Sequence, residues 1–203
     1  MTIAKQTSKK GRASSLRSAQ MELTRDRIQK ATASLLAEHG APDGITFKAV
    51  AERAGVTEMT VYRHFPTRDH LLHGLWEHLN DEMGPGIGMP ESADALLNQH
   101  DKLFAGFDRV APQIVASIST AQGREMRASL NAERRKAFLA IVGEIAPHLN
   151  PSRKTAAAAV LQLLHSAYAW DSLREQWDLD GKAAGKATKW AIEVFLKELR
   201  TQS

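Results

Sequence analysis

The sequence predicts an all-α protein: a small N-terminal three-helix unit built around a helix-turn-helix, followed by a larger helical bundle. Three observations predict it. Most of the 203 residues fall into segments whose apolar positions recur at helical spacing. Residues 45–72, ITFKAVAERAGVTEMTVYRHFPTRDHLL, read as two short capped helices around a glycine turn, then the start of a third. Residues 84–90, GPGIGMP, form a break that no helix survives, and they mark a domain boundary.

Composition sets the outer limits. Hydrophobic residues make up 43% of the chain, enough for a real core in one medium domain or two small ones sharing a long helix. The absence of cysteine excludes a disulfide framework and a thiolate metal site, and fits a reducing cytoplasm. The N-terminus is charged without the apolar stretch of a signal peptide. No apolar run approaches the ~18 residues of a membrane span, so a cytoplasmic protein with no membrane partner is expected. The formal net charge of +4 is uneven: residues 1–20 carry Lys5, Lys9, Lys10, Arg12 and Arg17 and no acid, so residues 21–203 sum to −1. Rich in Ser, Gln and Thr and lacking apolar periodicity, residues 1–20 are expected to form a disordered basic arm. Such an arm can track phosphates or enter a minor groove, or it can be a solvated tail.

The first helix is expected from about Arg25 to Glu38, capped by Thr24, with Ile28, Ala31, Leu35 and Leu36 along one face. Gly40 ends it and residues 41–44 form a loop. Thr46 caps the next helix, whose narrow apolar face is Val50, Ala51 and Ala54. Gly55 stands where that helix stops and the chain must turn left-handed, which a residue without Cβ does freely. Thr57 caps a second short helix, Val61 and Phe65 point back from it, and Pro66 ends it. Thr67 caps the helix after that, which runs to about Met83 with Leu71, Leu72, Leu75 and Trp76 on its apolar side.

Two short helices joined by a glycine turn can place the second one in a DNA major groove. Tyr62, Arg63 and His64 have the reach to donate to backbone phosphates, and the first N–H groups of the second helix suit a phosphate. The same spacing also suits an αα-corner in which Tyr62 and His64 merely pack.

The stretch AGVTEMTVYRHFPTRDHLL decides between the two. It carries an alanine-glycine-valine turn, a threonine cap, a tyrosine-x-histidine-phenylalanine end and a capped helix after it. In this it resembles the TetR family of bacterial transcriptional regulators, over Thr24 to about Leu72. The resemblance implies a homodimer on a roughly palindromic double-stranded DNA operator. Residues 57–64 would lie in the major groove, with half-site centres ~34 Å or somewhat more apart. It implies phosphate contacts from Thr46, Thr57, Tyr62, His64 and Arg68, the last standing where the family often has lysine. Lys48, Glu58, Met59 and Thr60 are then the base-edge candidates, since lysine reaches guanine and a methionine methyl can touch a thymine methyl. Glu58 and Met59 depart from the family pattern. A carboxylate there needs a cytosine amine or a pairing with Lys48 or Arg63, so the operator sequence is open. Residues 21–72 hold seven Lys/Arg against seven Asp/Glu, so affinity is expected to lean on the arm and on salt concentration.

The implied organisation is the arm (1–20), the helix-turn-helix DNA-binding domain (21–72), a connecting helix (73–83) and a C-terminal domain (84–203) for effector binding and dimerisation. Beyond the break, helices are expected at about 92–108, 111–122, 124–147, 152–176 and 184–201, punctuated by Pro112, Gly123, Pro147, Pro151 and the turn 178–181. The helix from 152 begins apolar almost all round (Ala156 to Leu161, then Leu163 and Leu164), and a helix without a polar face needs partners on two sides. The last helix carries Ala184, Ala187, Ala191, Val194 and Phe195 with Trp190 beside them. These two helices from each of two subunits would form a four-helix interface, as in the TetR family; a monomeric bundle core is the alternative.

An effector pocket in the bundle would be lined by Phe104, Phe107, Met126, Leu130, Phe138, His165, Tyr168, Trp170 and Asp171, which would suit a small apolar or amphipathic ligand. His165, Tyr168 and Asp171, three apart on one expected helix, would supply its polar groups, although each of these residues also suits a plain core. His70, His73 and His78 converge too poorly for a metal, and residues 178–181 lack the further ligands of a calcium loop, so no metal and no cofactor is implied. No nucleophile elbow, phosphate loop, dinucleotide fingerprint or HExxH motif appears, which argues against an enzyme. Relief of repression by the ligand is the family's usual outcome. A DNA-binding architectural or cell-cycle factor of the same fold, without an effector, is the second reading.

Overall fold

Ile28, Ala31, Leu35 and Leu36 fall at helical spacing, and the computed structural model buries all four on one helix face, none more than 5% exposed. The structure describes residues 4–128 and 130–201, with side chains from Ser15 onward other than that of Met126. The helix, α1, runs Ala4–His39 and therefore does not start at Thr24. Thr24 lies inside it and its hydroxyl donates to the Gln20 carbonyl at 2.8 Å, a bond made within a helix rather than at its cap. Over residues 4–20 the backbone continues α1 where composition predicts a disordered arm. Residues 15–23 are exposed.

The chain divides into two units, one reaching to His39 and resuming at Asp43–His78, the other comprising Gly40–Pro42 and everything from Leu79. In the first unit α1 is followed by a 3-10 turn (Pro42–Gly44), α2 (Phe47–Ala54), α3 (Glu58–His64) and α4 (Arg68–Met83), which continues past the unit boundary. Its core gathers Ile28 and Leu36 of α1, Val50 of α2, Val61 of α3, and Leu71 and Leu75 of α4, all fully buried, with Phe65 only 1% exposed. Each such side chain contributes ~1.5–3 kcal/mol by leaving water.

The second unit contains α5 (Ala93–Arg109), α6 (Ala111–Ser119), α7 (Ala121–Ala128), α8 (Asn131–Ile145), α9 (Pro151–Leu164), α10 (Ala167–Trp177) and α11 (Gly181–Thr201). Among the described residues there is no strand. Leu96 of α5, Phe138, Ile141 and Val142 of α8, Ala157, Ala158 and Leu161 of α9, and Ile192, Leu196 and Leu199 of α11 share one core. Asn150 caps α9 by accepting from the Arg153 N–H at 2.9 Å, with Pro151 in the first turn, where its missing N–H costs nothing.

Two expected helices are each two. The segment 124–147 divides into α7 and α8. Thr120 accepts from the Gly123 N–H at 3.0 Å and so starts α7 at 121, while Arg134 of α8 donates to the Arg127 carbonyl at 3.0 Å and satisfies the end of α7. The segment 152–176 breaks at His165 and Ser166. Ser166 adopts an extended conformation (φ −142°, ψ 162°), and its hydroxyl donates to the Leu163 carbonyl at 2.7 Å. No glycine or proline announces this break; serine's preference for a helix N-terminus is the only local signal. Helix α11 begins at Gly181, three residues earlier than expected. A Cβ there would lie 2.4 Å from the Phe104 carbonyl oxygen, so only glycine lets α11 meet α5 this closely.

Candidate functional site

Thr46 and Thr57 each stand at an extended residue before a helix, and each hydroxyl accepts from the backbone N–H three residues on, Ala49 at 3.1 Å and Thr60 at 3.2 Å. These caps start α2 and α3. Between them Gly55 is left-handed (φ 64°, ψ 41°), its N–H and that of Val56 closing on the Glu52 and Ala51 carbonyls. Arg27 of α1 donates to the Ala54 carbonyl at 2.5 Å, giving the end of α2 a cationic partner.

With Val61 and Phe65 turned inward, α3 presents the opposite face to solvent. Thr57, Glu58, Met59, Tyr62 and Arg63 are exposed there, Met59 at 72%, while Thr60 and His64 are half-buried. The Thr57 and Thr60 hydroxyls lie 2.9 Å apart. Tyr62 stacks on Phe47 of α2 with ring centroids 4.1 Å apart and planes within 6°, which fixes the direction of its phenol. Burial first, then the Arg63 and Arg25 charges, hold the His64 imidazole below its ordinary pKa, so at neutral pH it keeps one N–H donor and one lone pair.

Thr46 and Lys48 are exposed at the start of α2. Arg68 is exposed at the start of α4 and donates to the Ile45 carbonyl at 3.0 Å, tying α4 to the residue before the Thr46 cap. Among the described residues Glu58 forms no ion pair with Lys48 or Arg63.

The even charge count of residues 21–72 resolves in space. Arg53 forks onto Glu38 at 2.6 and 2.7 Å, and that bond holds the Glu38 carboxyl down to about 2. Lys30 pairs with Asp26 at 2.8 Å, and Arg25 pairs with Glu77 at 3.1 Å and lies 4.5 Å over the Phe65 ring. These cations face acids of the protein itself; Lys48, Arg63 and Arg68 are exposed. Sequence reasoning missed Phe47 and Arg27. Phe47 continues the Val50–Ala54 stripe and reads as core; only the fold shows its ring beneath Tyr62.

In the second unit the expected pocket residues do not behave as one set. Phe104 and Phe107 are buried with ring centroids 5.7 Å apart, and Phe107 lies 5.6 Å from the fully buried Trp170, whose indole donates to Asp108 at 2.8 Å. Leu130 is half-buried in the turn before α8 rather than inside a helix. The side chain of Met126 lies outside the described residues, as do those of Lys5, Lys9, Lys10 and Arg12 of the arm. His165, Tyr168 and Asp171 do not share a helix: His165 sits in the break before α10, Tyr168 is 42% exposed beneath the Arg127 guanidinium, and Asp171 pairs with Arg174 at 3.0 Å.

The polar centre of that unit is instead a trio that spacing gave no means of finding. His165 Nδ1 meets His100 Nδ1 of α5 at 2.7 Å, and His100 Nε2 meets the Thr188 hydroxyl of α11 at 2.7 Å. The Phe104 and Phe138 rings flank the pair. Burial pushes His100 down to about 4 and His165 to about 3, so both are neutral at pH 7. Among the described residues no helix is long and apolar enough to cross a membrane.

Residues 28–75 match the family model for bacterial regulatory proteins of the TetR family. Two curated relatives are nucleoid occlusion factors SlmA. That of Idiomarina loihiensis is 27% identical over 125 residues, 46% of this chain and 63% of that protein. That of Vibrio cholerae is 32% identical over 59 residues, 29% of this chain and 30% of that protein. The chain thus spans less than two thirds of the length of these relatives. Two crystal structures from Rhodococcus sp. RHA1 share the fold. One, of a transcriptional regulator, has a TM-score of 0.57 at 20% identity and covers 88% of this chain and 99% of that one. The other, of a TetR transcriptional regulator, has a TM-score of 0.52 at 23% identity and covers 87% and 98%. The helix-turn-helix unit of this chain is therefore similar to that of the TetR family over residues 28–75, and its fold is one that such regulators share.

Proposed function

We propose that this protein is a cytoplasmic, ligand-responsive repressor that holds a palindromic operator as a homodimer and leaves it when a small apolar or amphipathic effector binds the second unit. The observation that carries the DNA half is the outward face of α3, with Tyr62 held in place by its stack on Phe47. In this reading Thr46, Thr57, Tyr62, Arg63, His64 and Arg68 hold phosphates and set register, which contributes affinity but no sequence information. Lys48, Glu58, Met59 and Thr60 face base edges. Glu58 lacks an ion pair with Lys48 or Arg63, so it is left to accept from a cytosine amine, and Met59 packs on a thymine methyl.

The homodimer forms through the outward faces of α9 and α11. Val160 and Leu163 of α9 are 44% and 54% exposed, and Trp190 and Val194 of α11 are 69% and 53% exposed. With Ala156, Ala159 and Ala187, all exposed, they form apolar stripes at helical spacing. Ala184, first counted in this stripe, is fully buried inside its own protomer and takes no part. The effector acts by preferring one spacing of the two α3 helices over another; without such a preference it would shift nothing.

The test is a fluorescence-anisotropy titration against a duplex selected by the protein from a random pool, at two salt concentrations, with a scrambled control. Tight, salt-sensitive, sequence-selective binding that a small molecule reverses is expected. Equal affinity for both duplexes removes the operator reading. A second reading is favoured by the nucleoid occlusion factors among the relatives: an architectural or cell-cycle DNA-binding factor with no small-molecule effector. Occupancy of many genomic sites, unaffected by ligands, would select it.

A further inference from the structure

The geometry points to His165 Nε2 as a built hydrogen-bond acceptor in the second unit, and so to an effector with an apolar body and a neutral O–H or N–H donor. This rests on the effector reading above and narrows it to a chemical class.

The Thr188 hydroxyl lies 2.8 Å from the Ala184 carbonyl oxygen and 3.2 Å from that of Gly185. Two oxygens approach to 2.8 Å only with a hydrogen between them, so the threonine proton points at Ala184. The Thr188 oxygen can then only accept from His100, whose Nε2 carries the N–H. A neutral imidazole has one N–H and one lone pair, so His100 Nδ1 is the acceptor in its 2.7 Å contact with His165. His165 Nδ1 must therefore donate, and the lone pair of His165 falls on Nε2.

The opposite polarity would need Thr188 to donate to His100, leaving bare oxygens facing each other at 2.8 Å. Double protonation is opposed by burial, which keeps both rings neutral. His165 is only 8% exposed, yet its Nε2 bonds to no described residue. Such an atom seeks a donor. An anionic carboxylate would set lone pair against lone pair there, and a charge would meet the full cost of leaving water beside Phe104 and Phe138.

The test uses the full chain with 15N-labelled histidine. Long-range proton–nitrogen NMR at pH 7.5 distinguishes protonated from lone-pair ring nitrogens, and His100→Asn and His165→Asn spectra assign the signals. His165 is expected as the Nδ1–H tautomer and His100 as the Nε2–H tautomer. Matched probes follow: indole against 1-methylindole, and phenol against anisole. The donor of each pair should bind roughly three- to tenfold more tightly than its methylated partner and should shift His165 Nε2. Thr188→Val removes the hydroxyl that sets the direction, so His165 should become a tautomer mixture and the preference should shrink; Thr188→Ser should restore both. A proton on His165 Nε2, equal binding within each pair, or no binding by any probe would overturn the inference. Operator release by an acceptor-only or anionic compound would also overturn it while leaving the effector reading standing. The absence of release by any small molecule would count against that broader reading instead.

Discussion

Removing a single oxygen from α3 should cost DNA affinity without disturbing the fold. Tyr62→Phe deletes the phenol hydroxyl and keeps the ring, so the stack on Phe47, 4.1 Å between centroids, survives. A hydrogen bond to a charged phosphate contributes ~1.5–3 kcal/mol, or roughly 10- to 150-fold in affinity per protomer, and a dimer loses it at both half-sites. Phe47→Ala acts differently: it removes the surface that holds Tyr62 in place. Ordering a freed side chain on binding costs ~0.5–1.5 kcal/mol, roughly 2- to 12-fold per protomer. In a Tyr62→Phe background that second loss should vanish, since no hydroxyl is left to position. The double-mutant cycle, read by anisotropy on a selected duplex, should therefore show a coupling of ~0.5–1.5 kcal/mol per protomer. Circular dichroism confirms that each variant is folded. Wild-type affinity in Tyr62→Phe would refute a phosphate role for Tyr62, and an equal penalty from Phe47→Ala in both backgrounds would refute the positioning role of Phe47.

Three further outcomes are expected. Gly55→Ala puts a side chain at φ +64° and should lower the stability of the helix-turn-helix unit by ~1–2 kcal/mol in urea; no measurable loss would mean that the turn relaxes out of the left-handed region. Leu163→Glu with Trp190→Glu places charges on residues 54% and 69% exposed in the protomer. Helix content should hold, sedimentation should show a monomer, and operator affinity should fall by ~100-fold or more as the two half-sites are uncoupled; an intact dimer would relocate the interface. Finally, the depressed pKa values of His100 and His165 mean that below pH ~6.5 the unfolded chain binds protons that the folded one refuses. Their stabilising contribution is complete above that pH and declines as pH falls from 6.5 toward about 4, by up to ~1.4 kcal/mol per pH unit per histidine. The stability difference between wild type and a His100→Gln, His165→Phe variant should track that window, and a pH-independent difference would show that the pair is not held neutral.

What the sequence by itself determined is local. The Thr46 and Thr57 caps, the left-handed Gly55 turn and the inward pair Val61 and Phe65 each depend on a few neighbouring residues, so the helix-turn-helix was legible without coordinates, and with it the likeness to the family over residues 28–75. The small-residue face of α11 was legible only as a pattern, because periodicity shows that a face is apolar but not which surface covers it; Ala184 turned inward while Trp190 turned outward. Tertiary structure alone decided the rest. The break at His165 arises where local propensity is weak and a buried side chain is drawn to a partner 65 positions away. The stack of Tyr62 on Phe47 depends on how α2 and α3 cross, which no spacing along one helix encodes. The direction of the proton chain from His165 to Thr188 depends on ångström-scale distances between α5, α11 and the segment joining α9 to α10. Hydrogen bonds acquire a polarity only when every atom along them has a place.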